Sequence, residues 1–140
     1  MKTLIRSLIG VCFVVAVFSC KKSIDKLKED YVLGVLTGGR WFLDNYTLND
    51  TDITYNFSEY EFQFYDNGKM DAINTTTSAV VTGTWSGDAS NLTFTVNLPT
   101  SDSKLVRLNY VWQWLKSNIG VVFAENVTPT QKISIRLKKK

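Results

Sequence analysis

Residues 60–72 read Tyr60-Glu61-Phe62-Gln63-Phe64-Tyr65-Asp66-Asn67-Gly68-Lys69-Met70-Asp71-Ala72, and their alternation decides the fold. Tyr60, Phe62 and Phe64 fall at every second position, with Glu59, Glu61 and Gln63 interleaved. A strand sends successive side chains to opposite faces, so this spacing predicts a half-buried strand with an aromatic inner face. Asp66-Asn67-Gly68 then reverses the chain. A two-residue Asn67-Gly68 turn would set Phe64 opposite Asp71. A three-residue loop with Gly68 in the left-handed region would set Phe64 opposite Met70 and Phe62 opposite Ala72. A slip of one residue turns every side chain to the wrong face, so the second register, apolar on apolar, is expected. Thr82-Gly83-Thr84-Trp85 follows as a third strand, and the stretch from Tyr55 to Trp85 is the unit on which the rest packs.

On the N-terminal side, Trp41, Leu43 and Asn45 alternate with Phe42, Asp44 and Tyr46 in a first strand. On the C-terminal side, Leu92, Phe94, Val96 and Leu98 alternate with polar residues until Pro99 closes the strand. Ile133, Ile135 and Leu137 alternate likewise in the last strand. Residues 105–122 fit two patterns. Leu108, Tyr110, Trp112 and Trp114 suit a strand, whereas Leu105, Leu108, Trp112, Leu115 and Ile119 suit a helix. Aromatic and β-branched enrichment, with Asn118 and Gly120 nearby, favours two strands. Eight strands result, near 40–48, 54–65, 69–75, 79–86, 92–98, 105–115, 119–125 and 131–138. The short loops make sequential neighbours antiparallel. The expected fold is all-β, an eight-stranded up-and-down antiparallel barrel that leaves no open edge, preceded by a short N-terminal helix. A two-sheet sandwich is the alternative.

The 140 residues suffice for one domain and a leader. Lys2 and Arg6 fall in the leader, and the remainder carries 14 basic and 13 acidic residues. That near-balance is no electrostatic footprint for nucleic acid. Lys21-Lys22 and Lys138-Lys139-Lys140 read as solvated tails. The sequence holds no histidine, which removes Ser-His and Cys-His nucleophile systems and the commonest zinc ligand. Cys12 and Cys20 both lie in the leader region, so the domain has no internal disulfide framework. Neither a cofactor nor a metal site is expected, and the chain reads as a non-enzyme.

Residues 1–19 have the form of a signal peptide: a basic start, then a short apolar run from Leu8 to Phe18, too short for a typical membrane span. The run ends in Val17-Phe18-Ser19-Cys20, which resembles the lipobox of bacterial lipoproteins. The resemblance implies that the Cys20 thiol takes a diacylglyceryl group and that, after cleavage, its new amine takes a further fatty acyl chain of the palmitate type. Each buried methylene contributes about 0.8 kcal/mol, and more than one chain makes a stable anchor. Cys20-Lys21-Lys22 looks like the junction of many lipoproteins of Bacteroidetes, and implies a lipid-anchored outer-membrane protein, periplasmic or surface-exposed. Residues 20–38 would be a lipidated tether and short helix. Ser23 caps that helix, Ile24, Leu27 and Tyr31 share a face, and Gly38-Gly39 ends it.

Residues 39–140 resemble the lipocalin-like lipoproteins of Bacteroidetes. Gly39-Arg40-Trp41 is similar to the Gly-x-Trp that opens the first lipocalin strand, and Gly83-Thr84-Trp85 repeats it before a turn and a Leu-x-Phe strand. Leu108-Asn109, Trp112 and the Lys-rich last strand fit the same group. The resemblance implies a lipocalin-like β-barrel and a late basic residue, here Arg136, stacked over Trp41.

Two acidic groupings invite chemistry. Asp66-Asn67-Gly68 with Asp71 lacks the alternating ligands and closing glutamate of a calcium loop, and reads as a hairpin turn. Glu59 and Glu61 share a strand face and are expected to be solvent-exposed rather than a catalytic pair. The candidate site is therefore the inward face, with Trp41, Tyr60, Phe62, Trp85, Tyr110 and Trp112 as ligand-binding residues and Phe64, Phe94 and Trp114 beside them. Two functions compete. One is a carrier holding a small apolar or sugar ligand among these rings. The other is a structural or protein-interaction module with a filled core, presenting outer residues such as Phe42, Tyr46, Tyr65 and Val111 to a protein partner.

Overall fold

The computed structural model describes residues 30–31 and 33–140. The leader, the lipobox, Cys20 and the Ser23 cap lie outside the described residues. Residues 30–31 and 33–37 are helical (α1). The strands are β1 (Arg40–Leu48), β2 (Thr51–Asp52), β3 (Tyr60–Phe64), β4 (Lys69–Asn74), β5 (Val80–Asp88), β6 (Thr93–Asn97), β7 (Val111–Asn118), β8 (Val121–Val127) and β9 (Lys132–Lys139). Each long strand pairs antiparallel with the next, and β1 pairs with β9, so eight strands close into an up-and-down barrel. The two-residue β2 only folds back on the end of β1.

The central hairpin has the expected register, with Phe64 opposite Met70 and Phe62 opposite Ala72. Gly68 takes φ +79°, and the Asn67 side chain accepts from the Lys69 N–H at 3.0 Å, so the acidic loop is a turn closed on itself. Asp71 accepts from the hydroxyls of Tyr65 (2.8 Å) and Thr82 (2.6 Å).

Three expectations need correction. β3 begins at Tyr60 rather than near residue 54, because Thr54–Phe57 form a 3-10 turn that tucks Phe57 into the core. Likewise Leu105–Leu108 are a 3-10 turn with Leu105 and Leu108 buried, and the strand starts only at Val111. The helical spacing at Leu105 and Leu108 was therefore real, but it lasts a single turn. The third correction concerns β1. Leu43 faces Leu137 and Asn45 faces Arg136, so Asp44 is an extra residue in a β-bulge. A bulge shifts the alternation by one. Tyr46 consequently points inward and is buried, while Asp44 turns out to meet the Arg136 guanidinium at 2.5 Å. Arg136 sits on the outer face and Trp41 on the inner one, so the expected stacking between them is not made.

A second bulge leaves Leu115 unpaired between Trp114 and Lys116 in β7. It turns Ser117 toward α1, where Tyr31 Oη and Ser117 Oγ are 2.7 Å apart. Helix α1 closes this end of the barrel: Leu36 is fully buried, and its carbonyl accepts from the Trp41 indole at 2.8 Å. The two 3-10 turns close the other end. Phe57 stacks on Tyr46 with centroids 4.7 Å apart, and the Tyr46 hydroxyl donates to the Arg107 carbonyl at 2.9 Å.

Two local devices hold the β5–β6–β7 wall. At Gly83 a Cβ would lie 2.2 Å from the Asn97 carbonyl oxygen and 2.9 Å from Leu98 Cα, so β5 lets the end of β6 approach only because it lacks a side chain there. Beyond Asn97 the ladder stops, and the Asn109 side-chain amide replaces it. Its oxygen accepts from the Leu98 N–H at 2.6 Å and its nitrogen donates to the Leu98 carbonyl at 2.9 Å. An unpaired buried backbone group costs about 1–3 kcal/mol, which this side chain avoids twice.

Glu61 corrects another expectation. It is buried, whereas Glu59 lies exposed just before the strand. Lys140 donates to one Glu61 oxygen and Arg40 to the other at 3.4 Å. The hydrogen bond from Lys140, then the Arg40 contacts, hold its carboxyl below the usual range against the opposing pull of burial. A depressed carboxyl pKa stabilises the fold above the unfolded value, about 4.3, and that contribution is lost as pH falls through the folded one. Glu61→Gln should therefore cost about 1 kcal/mol at pH 7, a modest figure because both cations are half in solvent. At pH 3, below the unfolded value, the gap between the variant and the native chain should be smaller. Urea midpoints at the two pH values measure this, and an equal gap at both would contradict it.

Candidate functional site

The inward face of the barrel carries the predicted rings, and all but Tyr110 reach it by strand alternation. Trp41 stands at the start of β1 under α1, and Tyr60 and Phe62 are adjacent inward positions of β3 with centroids 6.5 Å apart. Trp85 meets Phe64 edge-on at 5.3 Å. Trp112 lies at the middle, 6.5 Å from both Phe94 and Tyr46. Tyr110, just before β7, is only partly buried and meets Trp112 edge-on at 5.8 Å.

Polar atoms on these rings are satisfied by nearby turns. The indoles of Trp41, Trp85 and Trp112 donate to the carbonyls of Leu36 (2.8 Å), Tyr65 (2.9 Å) and Leu108 (3.0 Å). The Tyr60 hydroxyl donates to Asp102 at 2.6 Å. That bond raises the tyrosine pKa and lowers the aspartate's. Burial pushes the Tyr46 phenol well above its ordinary range. These groups fix ring positions; each is already spent on an internal partner.

Among the described residues, an apolar void of about 20 Å³ lies between the rings, lined by Phe62, Trp112, Phe64, Phe94, Leu43 and Ile135 among others. Small-ligand sites run to several hundred Å³, and a single water needs roughly 10–15 Å³ by the same measure. Of the six predicted ligand-binding residues, the void touches only Phe62 and Trp112. Trp41, Tyr60 and Trp85 are packed into the walls and ends, and Tyr110 stands at the margin. Sequence reasoning did not place Tyr46 and Phe57 inside, nor Leu105 and Leu108 in a closing turn; the four fill the end opposite α1. The Ile53–Phe57 and Leu105–Leu108 spacings were the available signals; the bulge that turns Tyr46 inward left none.

Outside the barrel, Val111, Gln113, Asn126 and Val127 border a shallow groove of about 390 Å³. Phe42 and Tyr65 are half-buried and Tyr46 is internal, so these three do not join Val111 in one exposed apolar patch. Among the described residues no three His, Cys, Asp or Glu side chains are grouped to hold a metal ion. No helix among them is long and apolar enough to cross a membrane.

An eight-stranded antiparallel barrel with a closed apolar interior defines the class. No family model matches the chain, and no curated protein does. A solved structure does: a DUF4847 family protein from Bacteroides vulgatus superposes with a TM-score of 0.56 at 12% sequence identity, over 78% of this chain and 97% of that one. At that identity the likeness is one of fold, and the chain is a β-barrel domain similar to the Bacteroides protein.

Proposed function

We propose that this chain is a lipid-anchored envelope protein whose lipocalin-like barrel serves as a structural or protein-interaction module with a filled core, not as a carrier. The observation that supports the module over the carrier is the interior void of about 20 Å³. A fatty acid or sugar ring would have to displace Phe62 or Trp112 from packed positions, and both ends are closed by α1 and the 3-10 turns. Refilling a close-packed core around a guest costs several side chains their rotamers and contacts. The lipocalin-like reading is supported by Gly39-Arg40-Trp41, which opens β1 directly after a short helix. The anchor is supported by Val17-Phe18-Ser19-Cys20 at the end of the apolar run.

The experiment has two arms. Titration of residues 21–140 with palmitate and with short glycans should leave tryptophan emission unchanged, because the four indoles already occupy the interior. Saturable quenching by either would restore the carrier reading. In cells grown with a radioactive fatty acid, the native chain should take up label and Cys20→Ser should not. Equal label in both would remove the anchor while leaving the module untouched.

A further inference from the structure

The rim of the barrel at α1 is chemically unlike the other. At the tip of the β7–β8 hairpin, Ile119 has its whole side chain in water, with a relative exposure of 105%. Leu115, set outward by the β7 bulge, is 52% exposed on the strand below it. An isoleucine at the apex of a two-residue-wide tip gains nothing from the fold, since no neighbour covers it. Around it stand Lys116, Lys138 and Lys139, all exposed. The Lys139 N–H donates to the Gly120 carbonyl at 2.7 Å, and its side chain runs over Gly38 and Gly39 at the end of α1 on the same rim. Among the described residues neither Lys138 nor Lys139 makes an ion pair, whereas Lys140 is engaged by Glu61. Of the carboxylates on this rim among the described residues, Asp66 lies in the β3–β4 connection across the barrel, Asp88 lies in the neighbouring β5–β6 connection, where its oxygens accept from Ser90 and Asn91, and Asp30 lies in α1 beside Tyr31. The opposite rim carries Asp50, Asp52, Glu59 and Asp102 beside Lys104, Arg107 and Lys132, so its charges are mixed.

The chain also enters the domain at this rim. Tyr31 of α1 touches Ser117 at the base of the same hairpin. From Cys20 to residue 30 the chain can span at most about 36 Å.

We infer that the β7–β8 tip seats the barrel end-on against an anionic phospholipid surface, with Ile119 entering the headgroup–acyl boundary and Lys116, Lys138 and Lys139 facing the phosphates. An apolar tip ringed by ammonium groups is the arrangement that combines interfacial burial with attraction to anionic lipid, and the second component is screened by salt. The inference rests on the anchored reading for its geometry, since a tether on Cys20 would hold this rim, not the opposite one, toward the bilayer.

The test separates the two. Residues 30–140 contain the whole barrel and its closing helix, and residues 21–140 contain no cysteine. That chain, with an N-terminal histidine tag, is held on vesicles by nickel-chelating lipid, so that no acylation is needed. A single environment-sensitive fluorophore is placed at Ile119→Cys or, at the other rim, at Thr76→Cys. On vesicles containing phosphatidylglycerol the probe at 119 should blue-shift and brighten, and the probe at 76 should not. The shift should shrink at high salt, and it should vanish with Lys138→Glu and Lys139→Glu combined. Equal emission from position 119 on phosphatidylglycerol and on neutral phosphatidylcholine vesicles would overturn the inference. So would an equal shift at position 76, or a concentration-dependent shift at 119 without vesicles, which would make the tip a contact between copies of the chain.

Discussion

Trp112→Asp and Trp114→Asp should each abolish the cooperative fold, with a loss above about 4 kcal/mol at neutral pH. Both indoles point into the barrel, 1% and 7% exposed. Trp112 is surrounded by Tyr46, Phe94, Tyr110 and Leu108, and Trp114 meets Phe94 edge-on at 6.0 Å. A carboxylate at either position would be buried without a cation, and the space of an indole would be emptied as well. Leu115→Asp is the matched control. It lies between Trp114 and Lys116 in the bulge and half in water, so it should change stability by no more than about 0.5 kcal/mol. Thermal unfolding followed by circular dichroism reads all three. Tolerance at one tryptophan alone would contradict a strand with both on one face.

Gly83→Ala should be the most damaging single-methyl change, at about 2–3 kcal/mol or more. The added carbon would meet main chain at Asn97 and Leu98, which no rotamer change can relieve, and moving that segment would also strain the Asn109 amide bridge. Gly34→Ala tests whether the effect is steric rather than a general response to losing glycine. Gly34 lies in α1 with nothing within 4 Å of its Cβ position. Alanine there should stabilise by up to about 1 kcal/mol, the usual helix preference over glycine. Similar urea midpoints for the two variants would rule out the close approach at Gly83.

The contrast between these residues shows where sequence was informative. Period-two patterns around Phe62, Phe94, Trp112 and Ile135 placed the strands and the inner face, and apolar matching chose the register of the central hairpin. These are properties of many residues acting together. What escaped were single-residue devices. The Asp44 bulge reverses the facing of Asn45 and Tyr46, and a polar residue in a strand carries no mark that it will be the unpaired one. Glu61 was read as exposed from its polar neighbours. Its partners, Arg40 and Lys140, are separated from it by 21 and 79 positions, so only the closed barrel brings them together. The size of the interior was equally hidden, because it depends on Phe57 and Leu105 folding back over the end of the strands.

The seam between the first and last strands sets the order in which this chain can be made. β1 shares only two residue pairs with β3, its neighbour in sequence among the barrel strands, but seven with β9. The six strands from β3 to β8 need only hairpin contacts and can pair as they leave the ribosome. β1 emerges before the other strands yet waits for Lys132–Lys139, the last strand of the barrel, before its main partner exists. Until then the nascent chain carries two open strand edges, at β1 and at β8, of the kind that recruit other chains. Exposure is therefore greatest just before β9 is made, and a chain lacking Lys132–Lys139 would keep those edges open for good.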